Sequence, residues 1–315
     1  MNADGAEAPR PQTVLLLVNT RSRRGRSIGA EAMYALQCLG CTVISAGTSH
    51  GAKPAAVVRQ HAGVVDAVAL VGGDGTLNAA APALLETGLP LLVIPAGTGN
   101  DLARTIGIPT DPHEAANLLH HGRLRRIDLG MVNDVPFFNV ASIGFGVDLT
   151  RALTQDSKRR WGVLGYMIAA IRALSRLRPF TAWIVHGDET HVSRTVHVAI
   201  GNGRHYGGGM IVAEGARIDD GRLDIFSLEV SSVWGLLKLL PSLRSGRHHA
   251  WVEVRNLASE SVEIRTRRRR SINTDGEITT STPAVFRVLP RAIAVFVPLG
   301  VAAGREPDTT SVSAS

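Results

Sequence analysis

Two glycine-rich turns constrain this chain more than any other feature: Val71-Gly72-Gly73-Asp74-Gly75-Thr76-Leu77-Asn78 and Pro95-Ala96-Gly97-Thr98-Gly99-Asn100-Asp101-Leu102. Each follows an apolar run that reads as a buried strand and precedes a helix-like stretch. Both turns are therefore expected to open at one edge of a single sheet. Glycines there predict positive φ, backbone N–H groups gathered into one concavity, and close approach to a ligand, with a helix N-terminus adding positive dipole. Such a cradle suits an anion. Asp74 inside it would repel phosphate unless a Mg²⁺ ion and its waters lie between, which points to a nucleotide polyphosphate bound with Mg²⁺. Tight strand-to-helix turns with capping residues are the plainer alternative for either turn taken alone.

Around these turns the N-terminal part alternates strands and helices. Strands are predicted at Thr13 to Val18, Thr42 to Ala46, Ala67 to Val71 and Leu91 to Ile94. Helices are predicted from about Ile28 to Leu39 and at Pro54 to Ala62, Leu77 to Glu86, Asp101 to Ile106 and His113 to His120. The order indicates a parallel sheet with its loops at the carboxyl edge. The basic stretch Asn19 to Gly25 is a third strand-to-helix turn at that edge. After Ile127-Asp128-Leu129-Gly130 the texture changes to strand-like runs (Phe137 to Ser142, Thr181 to Val185, Thr195 to Ile200, Leu223 to Glu229, Trp251 to Leu257, Ser261 to Arg265, Ala284 to Val288 and Ala292 to Phe296). Only two helices, Lys158 to Leu177 and Val233 to Leu243, interrupt them, so a mostly antiparallel β domain is expected. The first of these helices, with basic ends and Trp161 and Tyr166, fits either a helix packed on the sheet or one lying on an anionic bilayer.

At 315 residues and 44% apolar composition the chain can bury the cores of two domains. Its formal charge of +7 favours an anionic partner. No run approaches the about 20 apolar residues of a membrane span, and the start lacks an apolar signal core, so a cytoplasmic protein is expected. Cys38-Leu39-Gly40-Cys41 has redox or zinc spacing, but it sits where a helix ends rather than begins and lacks a second ligand pair, which favours a structural reading. Near the C-terminus, Asp275-Gly276-Glu277 is a sharp turn with two carboxylates, preceded by Arg267 to Arg270. It fits a general base for a substrate hydroxyl as well as an ordinary hairpin turn.

Taken in order, Gly72 to Thr76, Pro95 to Arg104, Ile127 to Gly130, Asp219 to Asp224 and Asp275 to Glu277 resemble the diacylglycerol kinase catalytic family, and most closely its soluble bacterial lipid kinases. The resemblance runs from about Thr13 to Val301. It implies an ATP-binding α/β domain over 13–131, completed by the last strand near 291–301, and a β-sandwich lipid-substrate domain over 132–290; composition marks 1–12 and 304–315 as disordered tails. The resemblance further implies phosphorylation of a lipid hydroxyl in the cleft between the domains, with ATP and Mg²⁺ as cofactors and peripheral contact with an anionic membrane. It leaves a homodimer open.

Carried over by position, Asn19, Thr20, Arg21, Ser22, Arg23, Thr48, Gly72, Gly73, Asp74, Gly75, Thr76, Leu77, Asn78, Gly97, Thr98, Gly99 and Asn100 bind the nucleotide. Asp74 and Asp128 hold the catalytic Mg²⁺ network. Asp275 and Glu277 match the base motif, with Glu277 preferred. A structural Mg²⁺ falls on Arg217, Asp220 and Arg222, the arginines through their carbonyls. The chain departs from the family after Asn78, where the usual Asn-Glu is replaced by Asn78 followed by Ala79-Ala80, at Asn19-Thr20 in place of Asn-Pro, and at Ala213 to Ala216, where a proline is usual. These departures bear on substrate identity more than on fold. An NAD kinase shares the first turn and a related plan, but the second turn and Asp-Gly-Glu favour the lipid branch. A silent nucleotide or lipid sensor is disfavoured because the carboxylates are retained. A nucleic-acid binder is disfavoured by the 4% aromatic content.

Overall fold

The computed structural model describes residues 11–20, 23–47, 53–144, 179–203, 205–206, 210–211, 217–229 and 254–300. They form two compact units: one runs to Ile127 and takes the chain back at Arg291, and the other is Asp128–Pro290. The two helices expected at Lys158 to Leu177 and Val233 to Leu243, residues 1–10 and 304–315 of the expected tails, Arg21, Ser22, Thr48 and the Ala213 to Ala216 departure lie outside the described residues. Pro11 and Gln12, expected in the disordered tail, are instead held: Pro11 is buried, and Gln12 N–H donates to Asp66 Oδ2 at 2.8 Å while its carbonyl accepts from Thr42 N–H.

The first unit follows the order β1 (Thr13–Val18), α1 (Arg23–Cys38), β2 (Thr42–Gly47), α2 (Pro54–His61), β3 (Ala67–Gly72), α3 (Asp74–Thr87), β4 (Leu91–Pro95), α4 (Asp101–Thr105) and α5 (Pro112–His121). Its strands are parallel in the order β2-β1-β3-β4. Every residue of β3 and β4 is buried, as expected of a parallel sheet covered on both faces. Helix α1 starts at Arg23, five residues before the expected Ile28. The Arg26 guanidinium donates to the Thr20 carbonyl at 2.7 Å and ties the first helical turn back to the loop. Asp111 caps α5 by accepting from the N–H groups of His113 and Glu114. Cys38 is exposed and Cys41 buried, and both are free thiols just before and just after Gly40, which takes φ 81° where α1 ends.

The chain then enters β5 (Arg123–Val132), β6 (Val135–Phe137), β7 (Val140–Gly144), β8 (Phe180–His186), β9 (Glu189–Thr195), β10 (His197–Gly201), β11 (His205–Tyr206), β12 (Met210–Ile211), β13 (Leu223–Leu228), β14 (Val254–Ser259), β15 (Ser261–Thr266), β16 (Ser271–Thr274), β17 (Glu277–Ser281) and β18 (Ala284–Val297). The last strand is continuous where two separate runs were expected. Its second half returns to the first unit and pairs parallel with β4, Val295 opposite Leu91.

In the second unit one antiparallel sheet has the order β14-β13-β10-β7-β16-β17, and another joins β9, β8, β15 and the first half of β18. Ala141, Ile143, Val198, Ile200, Leu223, Ile225 and Ile272 from the first sheet share one core with Phe180, Ala182, Ile184, Val262, Ile264, Ala284 and Phe286 from the second. This is a β-sandwich, and the chain is an α/β domain followed by a β-sandwich. Among the described residues no helix is long and apolar enough to cross a membrane.

Within the sandwich, His197 is buried edge-to-face against Phe226, with ring centroids 5.6 Å apart. Burial holds its imidazole down to about 4, from an ordinary 6.5. The unfolded chain therefore takes up a proton that the folded chain refuses across that window. Stability is complete above the upper value and is lost as pH falls toward the lower one. From pH 7 to pH 5 the loss attributable to His197 is about 2 kcal/mol. Urea unfolding at the two pH values should show it, and His197→Gln should remove that part of the pH dependence whatever it costs at pH 7.

Candidate active site

The strand order of the first unit reverses between β1 and β3, and ligands of open α/β sheets bind outside the carboxyl ends of strands at such a point. Asn19, just past β1, donates from Nδ2 to Thr76 Oγ1 at 3.0 Å, and its backbone N–H bonds the Val71 carbonyl. The loop after β1 is thereby fastened to the turn after β3. The turn after β4 joins them through glycine. A Cβ on Gly97 would stand 2.6 Å from the Gly73 Cα, and one on Gly73 would meet the Gly97 Cα at 3.0 Å. Neither glycine can be replaced while the two backbones touch.

Steric room, and not positive φ, is what these glycines supply, which corrects the sequence expectation. Gly72, Gly73, Gly97 and Gly99 are all outside the left-handed region, and Gly73 caps α3 in an extended conformation at φ −109°. The left-handed residue is Asn100, at φ 51°. Its amide closes the second turn on itself, Oδ1 accepting from Gly97 N–H at 2.9 Å and Nδ2 donating to the Gly97 carbonyl at 3.1 Å.

Asp74 is the first residue of α3. Its Oδ1 accepts the N–H of Leu102 at 3.2 Å, across to the start of α4. A Cβ on Gly99 would lie 3.1 Å from Asp74 Oδ2 and 3.6 Å from Asp101 Oδ2, so two carboxylates close around that glycine. Asp101 is buried and was missed in the sequence, although it belongs to the same motif as Asn100. Two further oxygens here, Thr20 Oγ1 and Asn78 Oδ1, are buried with no hydrogen-bond partner. Pro82, inside α3, has no N–H to give the Asn78 carbonyl four residues earlier. Of the other residues expected to meet a nucleotide, Thr98 is exposed, Gly75 half-buried, and Leu77 points into the core with only its backbone to offer. Arg23 begins α1.

In the second unit, Asp128 is 1% exposed. Its Oδ2 accepts from Gly221 N–H at 2.7 Å, and its own N–H bonds the Ile218 carbonyl at 2.7 Å. The turn bearing Arg217, Asp220 and Arg222 is thus locked onto Asp128. Arg222 N–H donates to Asp220 Oδ1, while the Arg217 guanidinium faces Asp219 at 3.4 Å and not Asp220. Desolvation raises the Asp220 carboxyl above its ordinary value, and the nearby charges of Asp128 and Asp219 push the same way, against the Arg222 N–H and the Arg217 charge.

Asp275 and Gly276 are the two central residues of the β16–β17 hairpin, both at positive φ, 45° and 97°, as in a type I′ turn. The Asp275 carboxylate accepts three backbone N–H groups: Phe138 at 2.7 Å, Asn139 at 3.0 Å and Val140 at 2.8 Å. These bonds explain why the run expected over Phe137 to Ser142 breaks into β6 and β7. Glu277 is exposed at the start of β17. Two buried asparagines that the sequence reading missed adjoin this turn. Asn202 donates from Nδ2 to the carbonyls of Asp128 and Phe138, at 3.1 and 2.8 Å. Asn139 has neither side-chain amide atom partnered.

Residues 13–132 match the family model described as the diacylglycerol kinase catalytic domain, and residues 141–297 match the YegS C-terminal NAD kinase beta sandwich-like domain. The chain belongs to the diacylglycerol kinase family. A relative named diacylglycerol kinase from Mycobacterium tuberculosis is 34% identical over 302 residues, covering 90% of this chain and 95% of the relative. A probable lipid kinase YegS-like from Pseudomonas aeruginosa is 34% identical over 239 residues, covering 75% and 78%. A crystal structure of a putative diacylglycerol kinase from Bacillus anthracis aligns with a TM-score of 0.81 over 96% of this chain and 100% of that one at 24% identity, so it shares the fold. This family member is a lipid kinase.

The residues present fit the nucleotide and divalent cation that the kinase family implies. The first unit offers two converged carboxylates and two unpartnered buried oxygens at the switch point, and the 217–222 turn gathers oxygen donors that suit a hard cation. The Asp275 bonds carry a structural cost of their own. Asp275→Asn leaves Phe138 N–H facing an amide NH₂ and should destabilise the fold by about 1–3 kcal/mol, whereas Glu277→Gln should change stability by less than about 0.5 kcal/mol. Chemical denaturation of the two variants measures both.

Proposed function

We propose that this kinase transfers the γ-phosphoryl group of ATP, with Mg²⁺, to a hydroxyl of a diacylglycerol-type lipid, giving a phosphatidic-acid-type product. The observation that carries the reading is the pair of carboxylates, Asp74 and Asp101, closed around Gly99 beside the unpartnered oxygens of Thr20 and Asn78. Helix starts accommodate a carboxylate each, and two directed at one glycine between paired turns also suit a polyphosphate brought in with a cation.

In this reading the backbone of Gly72 to Asn78 and Gly97 to Asn100, with Asn19, Thr20, Arg21, Ser22, Arg23 and Thr48, holds the nucleotide. Asp74 and Asp101 anchor its cation. Asp128 contributes a carboxylate on the second unit, where Asp220 and the carbonyls of Arg217 and Arg222 hold a separate structural ion. When bound, Mg²⁺ offsets the charge that the transferring phosphoryl group spreads over its oxygens.

Glu277 is the base that takes the proton from the lipid hydroxyl. Asp275 already accepts three N–H groups and positions the hairpin, whereas Glu277 presents its carboxylate to solvent. Arg267, Arg268 and Arg269 are exposed between β15 and β16, and their charge suits anionic headgroups at a membrane surface. Arg270 is turned aside, with its guanidinium 4.0 Å above the Phe180 ring.

The deciding assay supplies radiolabelled ATP and Mg²⁺ with diacylglycerol, other lipid alcohols and NAD in parallel. Label on diacylglycerol supports the proposal, and label on NAD with none on any lipid overturns it. Asp74→Ala should abolish transfer. Glu277→Gln should lower kcat by about 10²- to 10⁴-fold with little change in the KM for ATP. Replacing Arg267, Arg268 and Arg269 together by alanine should weaken binding to anionic vesicles by up to about 1 kcal/mol per arginine, with less effect on neutral vesicles. Vesicle sedimentation checks this.

A further inference from the structure

The β8–β9 hairpin takes no part in the groups described above, yet it carries a constellation of its own. Its register places His186 opposite Glu189 and Ile184 opposite His191, with a two-residue turn at Gly187-Asp188 in which Gly187 takes φ 54°. Side chains alternate between faces along a strand. His186, Glu189 and His191 therefore emerge on the same face as Phe180, Ala182, Ile184, Ser193 and Thr195, at its open end. Cross-strand pairing, not sequence proximity alone, is what gathers the three.

The two imidazole rings stack, with centroids 5.2 Å apart and planes 25° off parallel. Glu189 Oε2 stands 3.3 Å from His191 Nε2 and 3.6 Å from His186 Nε2, and one ligand atom from each residue lies within 4.8 Å of the others. Donors bound at about 2.0–2.2 Å to one tetrahedral ion stand roughly 3.3–3.6 Å apart, and the two separations from Glu189 Oε2 match that spacing, while the two imidazole ligand atoms lie within 4.8 Å of each other. His186 Nε2 is buried without a hydrogen-bond partner, while the Glu189 side chain is 69% exposed and leaves a way in. Two imidazole nitrogens and one carboxylate suit a borderline transition ion and not Mg²⁺, which prefers all-oxygen donors.

We propose that His186, Glu189 and His191 form a site for a divalent transition-metal ion of the zinc class, with its remaining position open to water. The ligands come from both strands, so the bound ion clips the end of the hairpin and adds its binding free energy to the fold. The site is independent of the catalytic reading, and its test does not use activity.

Chelator-treated full-length protein is titrated with Co²⁺ in excess Mg²⁺, which occupies the hard-ion sites, and followed by visible absorption. Thermal melting is recorded with and without Zn²⁺. The expected result is one Co²⁺ per chain at this site and a higher melting temperature with Zn²⁺. His186→Gln and His191→Gln should each weaken that binding at least about 10-fold and remove the thermal shift. Glu189→Gln, at an exposed position that tolerates change, should weaken it too, while His120→Gln on α5 should not. Metal-free melting of each variant shows that the fold is kept. Equal binding by the wild type and all three hairpin variants, or no Co²⁺ bound by the wild type in excess Mg²⁺, overturns the site.

Discussion

The contact between the Gly73 and Gly97 backbones sets the geometry of the first unit's site. Parallel pairing of β3 with β4 brings Gly72 opposite Pro95, so the two following turns leave the sheet side by side. Only residues without a Cβ can occupy the point where they meet. The approach carries Asp74 and Asp101, each the first residue of a helix, to either side of Gly99. Free N–H groups at helix starts make a carboxylate tolerable there. Asp74 spends one oxygen on Leu102 N–H, which belongs to the other turn, and so ties the two helix starts to each other. The convergence of Asp74 and Asp101 on Gly99 is thus built from main-chain packing.

The second unit uses a carboxylate differently. Asp275 is a tether, because its three N–H bonds hold the hairpin tip against the irregular segment between β6 and β7. Asn202 extends the tether, since its one amide nitrogen reaches both the Phe138 carbonyl and the Asp128 carbonyl. The turn at 217–222, locked to Asp128 through Gly221, is therefore linked to the Asp-Gly-Glu hairpin by backbone-directed bonds within the sandwich. Carboxylates and amides bonded this way have defined positions, whereas the Glu277 side chain is exposed.

Much of the first unit was legible because parallel strands buried on both faces read as unbroken apolar runs, as in Ala67–Gly72 and Leu91–Pro95. The sandwich was less so. Strands β9, β16 and β17 are rich in Thr, Ser, Glu and Asn, so their strand character comes from cross-strand partners and not from their own hydrophobicity. Glycine's role in the paired turns was misread because sequence shows conformational freedom but not which backbone passes close by. Asp101 was overlooked beside Asn100 for the same reason, since its relation to Asp74 exists only once the two turns touch. Asn139 and Asn202 gave no pattern at all; both are buried, and the Asn202 amide is tied to carbonyls more than 60 residues away.

Donor chemistry separates the candidate cation-binding groups of this molecule. Around Asp74, Asp128 and Asp220 the candidate ligands named above are all oxygens, which suits a hard ion. At the β8–β9 hairpin two of three donors are imidazole nitrogens, which hold borderline ions more firmly and have no call for Mg²⁺. A zinc-class ion held there would have no need to exchange with the nucleotide, because two imidazole donors favour it over Mg²⁺. The selectivity comes from ligand type and not from overall charge, which at +7 would by itself repel both cations.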